Sequence, residues 1–190
     1  MLQSFVTISF ILWGVSEFLV ISRKRTPQNK NIKDRNSLIQ IIVLIVTLSI
    51  GIGYANSNNI PPQLKFPFDI AFWQIIGLIL LFTGLSIRWV AINTLKKYFT
   101  ANLTIQEGHK LITTGIYSHI RHPSYLGGLL CFAGFGVALG NYISLFFIFF
   151  VNLIVILARI NYEEKILTGE FGSEFEEYKK RTKKLLPFLY

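Results

Sequence analysis

The chain has 190 residues, of which 52% are hydrophobic and only 15% charged. A soluble domain carries about 25% charged residues, so a water-soluble globule is excluded as the simplest reading. The formal charge of +9 could point to nucleic acid, but the basic residues are confined to alternate connections between apolar runs. That is the pattern of a membrane protein whose basic loops stay on one side.

The first apolar run covers residues 2–21 and holds one charge, Glu17. It lacks a basic leading segment and is too long for the core of a signal peptide, so it reads as a first membrane span. Arg23, Lys24 and Arg25 follow as a stop signal, and residues 22–36 carry six Lys or Arg and one Asp. The second run, residues 37–55, is uncharged. The next connection, residues 56–69, carries only Lys65 and Asp69 and is punctuated by Pro61, Pro62 and Pro67. Residues 70–95 read as a long third helix. At its inner end Arg88, Trp89, Lys96, Lys97 and Tyr98 form an aromatic and basic interfacial anchor.

Residues 100–120 form a polar connection too long for a simple turn, with turn signals at Glu107-Gly108 and Thr114-Gly115. Pro123 is placed to start a fourth helix. From there 36 residues, 123–158, contain no Asp, Glu, Lys, Arg or His. That is enough for two short spans with a tight turn at Gly140-Asn141, because a bilayer core needs about 20 residues per helix. The fifth helix is predicted over residues 142–166, broken by Gly169 and Gly172. A short amphipathic helix around Phe175–Tyr178 follows on the membrane surface, ended by Pro187. The expected fold is therefore all-α: one polytopic domain, 1–190, with five transmembrane helices, a C-terminal helical hairpin and short cytoplasmic helices. Residues 1–99 read as a three-helix scaffold and 100–190 as a second half that holds most of the polar motifs. Charge alternation places the N-terminus outside, and the C-terminus and the connection ahead of Pro123 inside.

Several small motifs are structural. Gly127, Gly128, Gly134, Gly136 and Gly140 suit close helix packing, and Gly134-Phe-Gly136 lacks the strand and the further glycine of a dinucleotide loop. Cys131 is the only cysteine, which rules out an internal disulfide and a thiolate zinc site. There is no H-E-x-x-H metal motif and no Ser-His-Asp order; no metal is expected.

Two polar clusters lie at the inner boundary. One runs from His109 through Tyr117 to Arg121-His122-Pro123-Ser124-Tyr125; the other is Arg159-Ile-Asn161-Tyr162-Glu163-Glu164. An antiparallel pairing of the fourth and fifth helices brings them together. Arg159 and Glu163 share a helical face and suit an ordinary ion pair. Ionisable groups beside an apolar groove are costly and often functional. Free N–H groups at the start of the fourth helix favour an anion, with Arg121 or His122 beside them. Arg159 suits a forked grip on a carboxylate or phosphate. Aromatic rings can stack a base, and Glu163 can accept ribose hydroxyls or balance a sulfonium.

At these residues the sequence resembles the membrane methyltransferases that modify isoprenylcysteine carboxyls, and the related phospholipid N-methyltransferases. The matched pattern is His109-x-Leu111, Gly115-x-Tyr117, Arg121-His122-Pro123-Ser124-Tyr125, Arg159-x-x-x-Glu163-Glu164, Phe171-Gly172-x-Glu174-Phe175-x-x-Tyr178 and Leu186-Pro187. The resemblance implies S-adenosylmethionine as methyl donor, leaving S-adenosylhomocysteine, bound without a dinucleotide fold. It implies cofactor contacts from His109, Lys110, Leu111, Ile112, Tyr117, His122, Pro123, Ser124, Tyr125 and Glu163, and from Asn102 where eukaryotic enzymes carry a glutamine. Arg159 would orient the acceptor, and Glu163 is the other candidate catalytic residue. The expected activity is O-methylation of a carboxylate on a lipid-linked, membrane-embedded acceptor. A phospholipid headgroup amine is the alternative acceptor. A small transporter or assembly factor is the non-enzymatic alternative, and it requires a polar path at mid-membrane that the uncharged runs do not offer.

Overall fold

The computed structural model describes residues 2–23, 35–99 and 110–186, without the side chains of 18–40 and Lys97. Asn102, His109 and Pro187 lie outside the described residues. Those described form helices and no strands. Helix α1 is Leu2–Arg23, α2 Arg35–Ala55, α3 Ile70–Leu95 and α4 Pro123–Ala138. A single 30-residue helix, Tyr142–Phe171, then comprises α5 (Tyr142–Leu145), π-turns at Phe146–Val151 and α6 (Asn152–Phe171). Helix α7, Ser173–Arg181, follows.

By length and apolarity, α3 and Tyr142–Phe171 are long enough to cross a membrane; Leu2–Glu17, Ile41–Ala55 and Pro123–Ala138 are shorter apolar helices. Apolar residues also cover the outside of the bundle: Ile42 and Ile79 are each 60% exposed and Ile154 68%. So much exposed aliphatic surface suits a lipid surrounding, not water.

Close packing of α3 on α4 depends on two reciprocal glycine pairs. A Cβ on Gly77 would lie 2.5 Å from the carbonyl oxygen of Gly134, and one on Gly134 would lie 2.5 Å from that of Gly77. Gly84 and Gly127 stand in the same relation at 2.5 Å. Seven residues separate the two glycines on each helix, so the two helices are antiparallel and in register over two turns. Cys131 is fully buried in this seam, its Sγ 3.7 Å from the Leu81 carbonyl oxygen. Helix α1 lies across the pair, with Phe10 on Phe135 and Trp13 edge-on to Phe132.

Polar side chains tie the remaining helices where lipid offers no partner. Ser144 donates to the Gly51 carbonyl at 2.7 Å, and Asn152 donates to Thr47 Oγ1 at 2.9 Å. Gly51 leaves room for Ile148, whose Cδ1 would come within 2.6 Å of a Cβ there. Gly140 turns the chain with φ +69°, and Asn141 caps α5 by accepting from Ser144 N at 2.8 Å. The connection before α3 closes on this turn through Phe66 N to Gly140 O, 2.9 Å.

Two expected boundaries are corrected. The long helix continues to Phe171, beyond residue 166, and passes through Gly169; an exposed glycine inside a helix costs only about 1 kcal/mol. It stops at Gly172, whose φ of +51° is a conformation open to glycine. Helix α7 ends at Arg181, short of Pro187, because Thr182 is already extended, with φ −128° and ψ 156°.

Candidate active site

The start of α4 is held from three sides. Ahead of it, Gly115 (φ +61°) opens the 3-10 turn Gly115–Ser118, which buries Tyr117 against α3 with its hydroxyl 3.4 Å from the Ala91 carbonyl. Burial pushes the Tyr117 phenol well above its ordinary pKa, and Glu163 adds to this, so it stays a neutral donor. Tyr178 of α7, also raised by burial, donates to the Tyr117 carbonyl at 2.7 Å.

The chain leaving α7 then runs parallel to residues 119–122. Lys183 N bonds His119 O at 3.1 Å, Arg121 N bonds Lys183 O at 2.8 Å, and His122 N bonds Lys184 O at 3.1 Å. Tyr125 N and Leu126 N both reach His122 O. This corrects the expectation that the start of α4 leaves its N–H groups free for an anion: those of Arg121, His122, Tyr125 and Leu126 have partners within the protein.

Arg121 is likewise engaged. It donates from Nε to Glu164 Oε1 at 2.8 Å and from a terminal nitrogen to the Thr182 carbonyl at 2.6 Å. It is a clamp between α4, α6 and the segment after α7. Glu164 is the centre of that clamp, meeting His122 Nε2 at 3.3 Å and Lys184 Nζ at 3.5 Å as well.

One helical position earlier, Glu163 faces another way. The Tyr125 hydroxyl donates to Glu163 Oε2 at 2.6 Å and accepts from Arg159 Nε at 2.8 Å. A tyrosine oxygen thus bridges the guanidinium and the carboxylate, which share one helical face. Arg159 also lies over the Tyr125 ring, 5.9 Å from its centroid, and is only 9% exposed. His122 Nδ1 stands 4.0 Å from Glu163 Oε1, and its ring is tilted against Tyr125 with centroids 5.7 Å apart.

The structure therefore brings together His122, Tyr125, Arg159 and Glu163 from the two sequence clusters. Pro123 is fully buried beneath them, and Ser124 turns toward α3. Leu111 and Ile112 are half-buried, and Lys110 is exposed.

Sequence reasoning missed Glu164 as an organiser, and it misplaced Arg88. Expected within an interfacial anchor, Arg88 instead turns inward: it forms an ion pair with Glu17 of α1 and donates to Ser124 at the carbonyl (3.0 Å) and the hydroxyl (2.9 Å). The available signal was Glu17 itself, a lone charge in an apolar run, which calls for a partner of opposite sign.

The model of the Isoprenylcysteine carboxyl methyltransferase (ICMT) family matches residues 75–169, the span from the second turn of α3 through Glu163 and Glu164. A probable protein-S-isoprenylcysteine O-methyltransferase of Oryza sativa subsp. indica is 32% identical over 159 residues, covering 82% of this chain and 83% of that protein. The chain belongs to this family. A human protein-S-isoprenylcysteine O-methyltransferase is 29% identical over 191 residues, covering 95% of this chain and 63% of the human one. The fold also matches the solved structure of the eukaryotic intramembrane Ras methyltransferase ICMT, with a TM-score of 0.68, 21% identity, and coverage of 99% of this chain and 67% of that one. Within the isoprenylcysteine carboxyl methyltransferase family, the matched span here contains both polar clusters, together with the glycine seam that sets α4 against α3.

Proposed function

We propose that this chain is a multi-pass membrane methyltransferase that uses S-adenosylmethionine to esterify the carboxylate of an isoprenylcysteine. The observation that carries the reading is the Tyr125 hydroxyl bridging Arg159 and Glu163 at the start of α4. The donor set suits the methyl donor: a half-buried carboxylate, the neighbouring His122 and Tyr125 rings and a guanidinium converge there. When bound, S-adenosylmethionine supplies an electrophilic methyl group on a sulfonium.

The residues divide the work as follows. Glu163, aligned by Tyr125, accepts from hydroxyl or amino groups of the cofactor and balances its positive charge. His122, Pro123, Ser124, Tyr125, Tyr117, Lys110, Leu111 and Ile112, with Asn102 and His109, form the rest of the cofactor set. Arg159 holds the acceptor carboxylate, its guanidinium turned by the bond to Tyr125. Held by this set, S-adenosylmethionine would supply its methyl group to the oxygen that Arg159 holds and would leave as a neutral thioether. No proton moves, so the site needs alignment and no general base. Five spans, with the N-terminus outside and the site facing the cytoplasm, put α1–α4 and the helix Tyr142–Phe171 across the bilayer and leave the acceptor's lipid in the apolar phase.

Calorimetry of the purified protein with S-adenosylhomocysteine tests the cofactor assignment. Wild type is expected to bind, and Glu163→Ala to bind at least tenfold more weakly. No wild-type binding, or undiminished binding by Glu163→Ala, overturns the assignment. Incubation with labelled methyl donor and a prenylated cysteine is expected to yield an alkali-labile ester. Alkali-stable label on a lipid amine would replace the acceptor assignment.

A further inference from the structure

Arg88 has no part in the reaction as described above, yet it is hydrogen-bonded into the first turn of α4. It is on α3 and reaches across to Ser124, one residue before Tyr125. There it donates to both the backbone carbonyl and the side-chain hydroxyl, at 3.0 and 2.9 Å. Its other nitrogens face Glu17 of α1. The side chains of Arg88 and Glu17 are 15% and 20% exposed, so the pair is largely withdrawn from solvent. Gly127 makes the reach possible: a Cβ there would lie 2.8 Å from both the backbone nitrogen and the Cβ of Arg88.

We propose that Arg88, neutralised by Glu17 and brought onto α4 at Gly127, is a positioning residue that fixes the His122–Tyr125 turn for the methyl donor. The proposal rests on the methyl-transfer reading above. The Ser124 carbonyl belongs to the turn whose side chains include both His122 and Tyr125. Two hydrogen bonds from a planar guanidinium therefore set the direction of that turn, and through Tyr125 the placement of Glu163 and Arg159. Both bonds leave one terminal nitrogen while Nε and the other terminal nitrogen face Glu17, so the rigid guanidinium holds Ser124 in a fixed relation to α1, which a flexible ammonium cannot do. Glu17 cancels the guanidinium charge, so the anchor adds no net positive charge next to a site for a cationic donor.

A purely structural role and a positioning role differ in one variant. Breaking a buried pair by removing one partner is strongly destabilising, whereas replacing both partners by apolar residues is often tolerated. The full-length protein is purified as wild type, Arg88→Met, Arg88→Lys and Glu17→Met/Arg88→Met. Each is measured for thermal unfolding, S-adenosylhomocysteine binding, and KM for the methyl donor against kcat. Arg88→Met is expected to lose stability, and the double variant to recover most of it. Binding in the double variant is still expected to be at least tenfold weaker than wild type, with the loss in KM for the donor more than in kcat. Arg88→Lys, which keeps the charge toward Glu17 but loses the rigid guanidinium spanning Glu17 and Ser124, is expected to unfold near wild type and bind at least threefold more weakly. Restored binding together with restored stability in the double variant overturns the proposal, as does wild-type binding by Arg88→Lys. If the double variant does not fold, the Arg88→Lys measurement decides alone. If wild type itself does not bind S-adenosylhomocysteine, the cofactor reading has failed, which is a separate result from a variant that binds as wild type does.

Discussion

Tyr125 shows how one oxygen atom can organise a site. Its hydroxyl accepts from Arg159 and donates to Glu163, and hydrogen bonds to charged groups contribute about 1.5–3 kcal/mol each. Tyr125→Phe keeps the ring against His122 and removes only that oxygen. Its kcat/KM is expected to fall about ten- to hundredfold, since about 1.4 kcal/mol corresponds to a factor of ten. Steady-state assays with labelled donor read this directly, and an unchanged kcat/KM would remove the bridge from the mechanism. Arg121 predicts the opposite signature. Its partners are Glu164 and carbonyls of the tail, so Arg121→Ala leaves a half-buried carboxylate without its main partner. A loss of about 1.5–3 kcal/mol is expected, visible as a lower unfolding midpoint. Both residues were legible as candidates from the Arg-His-Pro-Ser-Tyr order. Their different tasks were not, because neighbours in sequence point to different sides at the start of a helix.

Helix packing in a lipid surrounding gains little from the hydrophobic effect, so close backbone approach carries more of the weight. Gly77–Gly134 and Gly84–Gly127 are the clearest case. Ala at Gly84 or Gly134 would place a Cβ 2.5 Å from a carbonyl of the facing helix. Either substitution is expected to cost about 1–3 kcal/mol and to lower the thermal midpoint in detergent. Gly53→Ala is the control: nothing lies within 4 Å of its added Cβ, and the change is expected to be neutral or slightly stabilising. Equal effects at all three sites would refute the seam as the reason for these glycines. The richness of α4 in small residues was readable in the sequence. The partner helix was not, since Gly77 and Gly84 lie in an apolar run that fixes no rotational phase. The end of the long helix was misread for a related reason: Gly169 and Gly172 are the same residue type, and only the backbone angle at Gly172 separates a tolerated glycine from a terminating one.

Across the whole molecule, the segment after α7 closes the structure on itself. It pairs with residues 119–122 just ahead of α4, and it meets Glu164 through Lys184. Ending the chain at Arg181 removes all of these bonds and leaves α7 in place. Such a protein is expected to retain its helical content by circular dichroism and to bind S-adenosylhomocysteine at least tenfold more weakly. Binding equal to wild type would show the segment to be dispensable. The proposed orientation can be checked independently, because the native Cys131 is fully buried and should stay silent toward a membrane-impermeant maleimide. Ser57→Cys is expected to label from outside intact cells, and Ser173→Cys only after the membrane is opened; the reverse would invert the topology.

By itself the sequence determined the class of molecule and the inventory of its chemistry. Apolar run lengths, basic connections alternating with neutral ones, and an ordered set of arginines, histidines, tyrosines and glutamates are local properties, readable without knowing which helix touches which. Only the tertiary structure decided the pairings. Tyr125 stands between Arg159 and Glu163, Glu164 and Arg121 belong to the tail clamp, and Glu17 finds Arg88 across 71 positions. The physical reason is that an uncharged helix carries no pattern specifying its rotation against its neighbours. That rotation is set by where glycines let backbones meet and where each charge withdrawn from water finds its counter-charge.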